Sequence, residues 1–148
     1  IDETNLEKLS LQWYKNQVAY IPEDVEVLNS SILNNILISN PDLNEREVSR
    51  LLQNVGLDKE LKKSDLTITD SINKKYSKGI LKKIHIARSI SKSYQVYIFD
   101  DPLLYLDKLG KNMVLKLIAS LKRAGKTVIC FSEDSEIIKL SDKQTNLG

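Results

Sequence analysis

Three short apolar runs in the chain have the pattern of strands rather than helices. Val18–Ile21 is closed by Pro22, and Val96–Phe99 is an unbroken run of β-branched and aromatic residues. A third run lies in the segment KTVICF, which starts at Lys126. Runs of this kind are typical of strands in parallel sheets, so we predict three strands and expect the second and third to be buried.

Apolar positions spaced three and four residues apart predict five helices. One begins at Ser30 or Ser31, and a second is capped by Asn44 and ends near Gly56. A third begins at about Lys78, and the last is the short segment DSEIIKL. The fourth is capped by Asp107 and stops at Gly125, with a core stripe of Met113, Val114, Leu117, Ile118 and Leu121. Residues 57–75 are polar and receive no assignment.

The order of these elements predicts an α/β fold. A strand, a helix and a strand follow one another in the second half, which is the signature of a βαβ unit with parallel strands. The region from about 28 to 92 is mostly helical. We therefore expect one domain across residues 1–148, with a parallel sheet core formed by 1–27 and 93–148 and a helical insertion at about 28–92.

Composition narrows the class of protein. The 148 residues are 41% hydrophobic and 28% charged, which is an ordinary soluble balance, and the net charge is only +2. A charge this small does not favour a nucleic-acid partner, and we expect none. The single cysteine, Cys130, excludes a disulfide within the chain and is best explained as a small buried residue. The chain begins at Ile1 without methionine, so we expect a piece of a longer protein.

Two adjacent carboxylates, Asp100 and Asp101, directly follow the second predicted strand. Burying an unpaired carboxylate is costly, and the carboxyl edge of a parallel sheet is where α/β folds bind ligands. Four apolar residues followed by Asp form the Walker B pattern of nucleotide-hydrolysing P-loop proteins, in which the Asp holds Mg²⁺. The alternative is that Asp100 and Asp101 are a helix-capping or loop pair.

Five segments in order resemble the motifs of the ATPase domain of ABC transporters, especially exporters and type I secretion ATPases. The resemblance covers essentially the whole chain. YIPEDV resembles the glutamine loop, YSKGI the signature motif, VYIFDD the Walker B strand, LYLD the D-loop, and TVICFSED the switch-histidine strand.

This resemblance implies a partial P-loop ATPase fold with an ABC-type helical subdomain, ATP and Mg²⁺ as cofactors, and a place on the cytoplasmic side of a membrane. It implies two kinds of partner, a second ATPase domain and the membrane domains of a transporter. Asp100 would position Mg²⁺ and Asp101 would activate water. Ser77, Lys78, Gly79 and Asp107 would contact the nucleotide held by the partner domain, while Glu23 and Glu133 stand at the glutamine and switch-histidine positions.

The sequence departs from the family pattern at four of these positions. Glu23 replaces glutamine, Lys78 replaces glycine, Asp101 replaces glutamate and Glu133 replaces histidine. A carboxylate at Glu133 faces phosphate with like charge and cannot donate a hydrogen bond when ionised. The phosphate-cradling loop G-x-x-x-x-G-K-[ST] is not among the 148 residues, and we expect it upstream of Ile1.

Three hypotheses follow for function. The first is an energy-coupling ATPase domain of an exporter, with impaired hydrolysis. The second is a catalytically inactive structural or regulatory half of an asymmetric pair of ABC ATPase domains. The third is a helical interaction module unrelated to nucleotides.

Several of the same residues also have simpler explanations. Ser77 could cap its helix and Asp107 could be a plain N-cap, and neither role excludes a contact with nucleotide. We expect His85 to be a packed or surface side chain rather than a catalytic or metal-binding one. Lys82 and Lys83 are expected to form a solvated patch beside the signature helix.

Overall fold

A computed structural model describes residues 10–72 and 76–146 of the chain. Its sheet has three parallel strands in the order β1-β2-β3, formed by Val18–Ile21, Val96–Asp100 and Thr127–Phe131. All three strands were predicted, and the α/β fold class with a parallel sheet is confirmed. Residues 1–9, 73–75 and 147–148, which belong to the predicted domain, lie outside the described residues.

The five predicted helices are present, together with two that the sequence did not predict. The helices are α1 (Leu11–Gln17), α2 (Ile32–Leu37), α3 (Glu45–Asn54), α4 (Leu57–Lys63), α5 (Lys78–Ser89), α6 (Lys108–Arg123) and α7 (Ser135–Leu140). The unpredicted helices are α1 and α4. Both are only seven residues long, and α4 buries only Leu57 and Leu61, so neither repeats an apolar pattern often enough to be recognised.

Local side chains set the ends of the helices as the sequence suggested. Asn44 and Glu47 form a reciprocal capping box at the start of α3. Gly56 follows α3 in the left-handed conformation, with φ of 70°, and leads directly into α4. Gly125 ends α6 in the same left-handed region.

The core lies on one face of the sheet. Ile21, Tyr97 and Phe99 are buried there against α5 and α6. The opposite face carries Tyr20, Ile98 and Ile129, which lie side by side on the three strands. Tyr20 and Ile129 are exposed there. No residue of β3 is buried, so the expectation of a buried third strand was wrong. Both β1 and β3 end the sheet, but β1 packs against α1 and α5, whereas β3 packs against α6 alone among the helices in extensive contact with it.

Helix α5 connects the helical region to the sheet. The helices α2, α3, α4 and α5 lie between β1 and β2 in the chain, and α5 contacts the other three as well as β1. Its N-terminus at Ser77 therefore stands where the helical region meets the carboxyl ends of the strands.

Cys130, expected to be buried, is half-buried, and the desolvation raises the pKa of its thiol to about 11.

Candidate functional site

A cleft of about 660 Å³ opens at the carboxyl ends of β2 and β3. Parallel strands end at the same edge, so residues that follow different strands meet there. The cleft brings together three of the predicted site residues, Asp100, Asp101 and Glu133. Its other lining residues are Leu103, Leu104, Lys111, Cys130, Phe131, Ser132, Asp134, Thr145 and Asn146.

Asp100 is the last residue of β2 and is held through both its side chain and its backbone. Its Oδ2 accepts a hydrogen bond from the Tyr20 hydroxyl at 3.1 Å, and its carbonyl oxygen accepts one from Lys82 Nζ at 3.2 Å. The hydrogen bond to Asp100 raises the pKa of Tyr20. This hydrogen bond from Tyr20 was not predicted from the sequence. The available signal was the alternation of β1, which places Tyr20 on the face opposite its buried neighbours.

Asp101 begins the turn that leaves the strand, in a backbone conformation uncommon for a residue other than glycine. Its φ is 40°, its N–H donates to the carbonyl of Phe131 at 2.9 Å, and its carbonyl accepts from Leu104 N–H at 3.2 Å. The first hydrogen bond fixes the start of the turn to β3, and the second closes the turn itself. The side chain of Asp101 is thereby displayed at the cleft, beside that of Asp100.

Glu133 lies in the connection between β3 and α7. Its side chain is exposed and lines the cleft, whereas the next residue, Asp134, caps α7 by accepting from Glu136 N–H at 2.9 Å. Lys111 lies 3.6 Å from Asp134 and offsets part of the negative charge. Glu133 thus adds a like charge to the edge that already carries Asp100 and Asp101.

Glu23 is placed differently. Its side chain is exposed and is not among the residues that line the cleft. Its carbonyl oxygen accepts a hydrogen bond from Lys82 Nζ at 3.3 Å, and the same ammonium donates to Asp100. The structure therefore brings the backbone of Glu23 close to that of Asp100, but not its carboxylate into the cleft.

The predicted signature segment packs against the predicted D-loop. Ser77 caps α5 by accepting from Ile80 N–H at 3.3 Å. A Cβ atom on Gly79 would lie 2.6 Å from the carbonyl oxygen of Tyr105, so only glycine permits this approach. Lys78 Nζ lies 4.5 Å from the centroid of the Tyr105 ring and 3.3 Å from its hydroxyl.

Asp107 caps α6, which is one of the two roles that the sequence suggested for it. Its Oδ1 accepts from Gly110 N–H at 2.9 Å and from Lys83 Nζ at 3.3 Å. The hydrogen bond from Gly110 and the contact with Lys83 lower the pKa of Asp107. The capping roles of Ser77 and Asp107 are confirmed, and both residues remain exposed enough to meet a ligand.

The expectation that Lys82 and Lys83 form a solvated patch was wrong. Lys82 is 0% exposed and Lys83 is 1% exposed. Lys82 is surrounded by backbone carbonyls, and Lys83 forms ion pairs with Asp107 and with Glu60 of α4. Their acceptors come from distant segments of the chain, which is why the local pattern of α5 did not reveal their burial.

His85 is a packed side chain, as expected, and does not line the cleft. Its Nδ1 lies 2.8 Å from a guanidinium nitrogen of Arg88, which also donates to the carbonyl of Glu26 at 2.9 Å. Burial and the charge of Arg88 lower the pKa of His85 to about 4. The imidazole is therefore neutral near pH 7, with Nδ1 as the acceptor for Arg88.

The cleft suits a magnesium ion that is held mainly by a nucleotide. Carboxylate oxygens are the ligands Mg²⁺ prefers, and in phosphate sites one or two carboxylates are enough because phosphate and water complete the shell. Asp100 and Asp101 provide such oxygens. Across residues 10–72 and 76–146, no group of three or more His, Cys, Asp or Glu side chains is arranged to hold a metal without a ligand.

Within those same two ranges, no helix has the length and apolar character needed to cross a membrane.

Comparisons with known proteins agree with this geometry. A family model described as "ABC transporter" matches residues 1–104. The α-hemolysin translocation ATP-binding protein HlyB of Escherichia coli is 26% identical over 97% of this chain and 20% of its own length. The E. coli glutathione/L-cysteine transport system ATP-binding/permease protein CydC is 24% identical over 87% of this chain and 22% of its own length.

A solved structure has the same fold. A bacterial Atm1-family ABC exporter with ATP bound superimposes with a TM-score of 0.80 at 16% identity, covering 96% of this chain and 25% of that one. The chain spans about a fifth of the length of HlyB and CydC. Since the family model matches well over half of the 148 residues, the chain belongs to the ABC transporter family.

Proposed function

We propose that this chain is the ATP-binding, energy-coupling domain of an ABC exporter and that its capacity for hydrolysis is impaired. The observation that carries the proposal is the convergence of Asp100, Asp101 and Glu133 on one cleft at the carboxyl ends of β2 and β3. Two of the relatives named above, HlyB and the Atm1-family protein, are described as a translocation protein and an exporter.

Asp100 is the residue that we propose binds Mg²⁺. Its carboxylate ends a central strand, and the hydroxyl of Tyr20 restricts one of its two oxygens. The ion, when bound with ATP, would neutralise charge on the phosphates and orient them. The chain itself contributes the orientation of Asp100, which is fixed by the strand, by Tyr20 and by Lys82.

Asp101 and Glu133 are the proposed reasons for slow hydrolysis. Asp101 stands where the family carries glutamate, and its side chain is one methylene shorter, so its carboxylate ends farther from a water at that position. A misplacement of about 1 Å can reduce a rate by roughly 10²-fold. Glu133 stands where the family carries histidine, and its negative charge faces the cleft without a proton to donate.

A second ATPase domain is the proposed partner. Ser77, Lys78, Gly79 and Asp107 lie along one junction between α5 and the start of α6, and the resemblance assigns this junction to the nucleotide of the partner domain. The free N–H groups and the dipole of α5 favour a phosphate at its N-terminus. We propose that the junction supplies these contacts, with the membrane domains of a transporter as the further partner at the cytoplasmic face.

The division of the chain is part of the same proposal. Residues of about 28–92 would form the helical subdomain, and 1–27 with 93–148 the sheet core. The position of α5, which contacts both β1 and the helices α2, α3 and α4, and the contact of α3 with α6 support two parts that pack against each other.

The alternative is a catalytically inactive half of an asymmetric ATPase pair. The observation that favours it is the number of negative groups at the cleft, where Glu133 and Asp134 join Asp100 and Asp101. Such a domain could still bind Mg-ATP and transmit a change of shape without turning over. It differs from the first hypothesis only in its rate of hydrolysis.

Nucleotide binding by the full-length protein tests the proposal. We expect ATP to bind more tightly with Mg²⁺ than with EDTA, and Asp100→Asn to remove most of that difference, with at least a tenfold loss of affinity in Mg²⁺. Asp142→Asn is the matched control, since Asp142 is an exposed carboxylate far along the chain from the strand. Absence of ATP binding in the wild-type protein would favour the helical interaction module instead.

A further inference from the structure

Lys82 is a lysine with no exposed surface at the point where two strands end. It lies in the first turns of α5, directly beneath the carboxyl ends of β1 and β2, and its side chain is 0% exposed. Charged lysines are almost never fully buried unless they are paired. In the site described above Lys82 helps to hold Asp100 through its backbone carbonyl, but its positive charge has been given no role.

The ammonium of Lys82 has three acceptors, and each is a backbone carbonyl. Nζ lies 2.8 Å from Pro22 O, 3.3 Å from Glu23 O and 3.2 Å from Asp100 O. Three acceptors match the three N–H groups of a protonated lysine, whereas a neutral amine has only two. The first two carbonyls follow β1 and the third ends β2, so one side chain joins the two strand ends.

The charge of Lys82 also faces a group of carboxylates. Burial lowers the pKa of Lys82, and the charges of Asp100, Asp101, Glu23 and Asp24 offset part of that shift. Two other lysines near this edge have acidic partners of their own. Lys83 pairs with Glu60 and Asp107, and Lys111 pairs with Asp134. Of these three lysines, Lys82 is therefore the one whose positive charge offsets the carboxylates at the ends of the strands.

We propose that Lys82 is a positioning residue that doubles as a built-in counter-ion for the acidic edge. It holds Asp100 and the segment after β1 in one arrangement, and it offsets their carboxylates when no divalent cation is bound. The inference rests on the proposed function for the part of Asp100 in binding Mg²⁺. Its structural consequence, a metal-dependent stability in variants without the charge, is measurable without ATP.

The test compares thermal unfolding of the full-length protein in EDTA, in 10 mM Mg²⁺ and in NaCl of equal ionic strength. Lys82→Met removes the hydrogen bonds and the charge, and Lys82→Gln keeps an amide donor without the charge. We expect Lys82→Met to lower the Tm in EDTA by about 10 °C and Lys82→Gln by about half as much. In both variants Mg²⁺, but not NaCl, should recover at least a third of the loss.

Lys122→Met is the matched control. Lys122 also donates to a backbone carbonyl, that of Leu140, and pairs with a carboxylate, Asp142, but it does not line the cleft. Its variant should lose a few degrees at most, equally in EDTA and in Mg²⁺. This comparison removes any effect of magnesium on other parts of the protein.

Two results would overturn the proposal. A Tm of Lys82→Gln equal to that of the wild type in EDTA would show that the charge is not needed. A loss in Lys82→Met that Mg²⁺ leaves unchanged would reduce Lys82 to a structural tie. If Lys82→Met does not fold, Lys82→Gln alone decides between these results. Failure of the proposed function is separate, because it would appear as absent ATP binding in the wild-type protein.

Discussion

The cleft and helix α5 both carry departures from the family pattern, but they accommodate them in opposite ways. At the cleft, Asp101 and Glu133 both line the opening, so two carboxylates of like charge share one solvent-filled space. In α5, the polar side chains, including that of Lys78, have partners within the chain. Lys78 lies over Tyr105, and His85 accepts from Arg88.

The difference separates changes of chemistry from changes of packing. A substitution at an open edge alters the charge that a ligand meets and leaves the fold intact, because water solvates the new group. A substitution in a buried helix must be matched by its neighbours, because an unpaired polar group there is costly. We therefore expect variants at the cleft to change activity and variants in α5 to change stability.

Apart from the Lys82 variants, loss of Lys83 should give the largest change in stability. Lys83→Met leaves the partly buried carboxylate of Glu60 without its partner, and we expect the free energy of unfolding to fall by about 3 kcal/mol. Chemical denaturation would measure it. The double variant Glu60→Met/Lys83→Met should recover to within about 1 kcal/mol of the wild type, because the other partner of Lys83, Asp107, is exposed to water and still accepts from Gly110 N–H. A change below about 0.5 kcal/mol in the single variant would remove the contrast between the helix and the cleft.

Acidification should weaken the fold through His85. Its pKa is about 4 in the folded chain and near 6.5 when unfolded, so the unfolded state binds the proton first as the pH falls. Stability is therefore full above about pH 7 and is lost as the pH falls toward 4. We expect a loss of about 2 kcal/mol between pH 7 and pH 5. His85→Asn, measured over the same range, should be nearly flat, since His85 is the single histidine of the sequence. An equal slope in the variant would contradict the assignment.

A methyl group at Gly79 should disturb the contact between α5 and the turn after β2. Gly79→Ala places Cβ 2.6 Å from a backbone oxygen of Tyr105, and we expect a net loss of about 1–2 kcal/mol in stability. Gly110→Ala is the matched control in α6, because its closest neighbours are side-chain atoms of Asp107 and Lys83 rather than backbone atoms. The control should lose less. Equal losses would mean that the backbone contact is not the limiting one.

The contact between Lys78 and Tyr105 should have the smallest effect. A double-mutant cycle with Lys78→Met and Tyr105→Leu is expected to give a coupling energy of about 0.5 kcal/mol, typical of an exposed cation–π contact. The pair Lys92 and Tyr94 provides the comparison, since its ammonium lies 5.8 Å from the ring centroid. Its coupling should be weaker. A coupling near zero for the first pair would mean that Lys78 is free for a ligand.

The sequence predicted what depends on neighbouring residues. The bounds of β1, the start of α5 at Lys78 and the cap of α6 at Asp107 follow from local patterns, and the structure has them. The meeting of Asp100, Asp101 and Glu133 at one cleft could also be expected, because they follow two strands predicted to be parallel.

The burial of Lys82 and Lys83 could not be predicted in this way. The acceptors of Lys82 are 60, 59 and 18 residues away, and Glu60 is 23 residues from Lys83. A local pattern reports only that two lysines occupy adjacent positions of a helix. Their environment is decided by tertiary contacts, as is the exposure of β3 at the end of the sheet.

The central claim is that the cleft binds Mg-ATP but hydrolyses it slowly because of Asp101 and Glu133. The most direct test is the Mg-ATP turnover rate of the full-length protein beside the double variant Asp101→Glu/Glu133→His. We predict that both proteins bind ATP and that the double variant turns over about 10²-fold faster. A wild-type rate equal to that of the double variant would contradict the claim and would make Asp101 a working base.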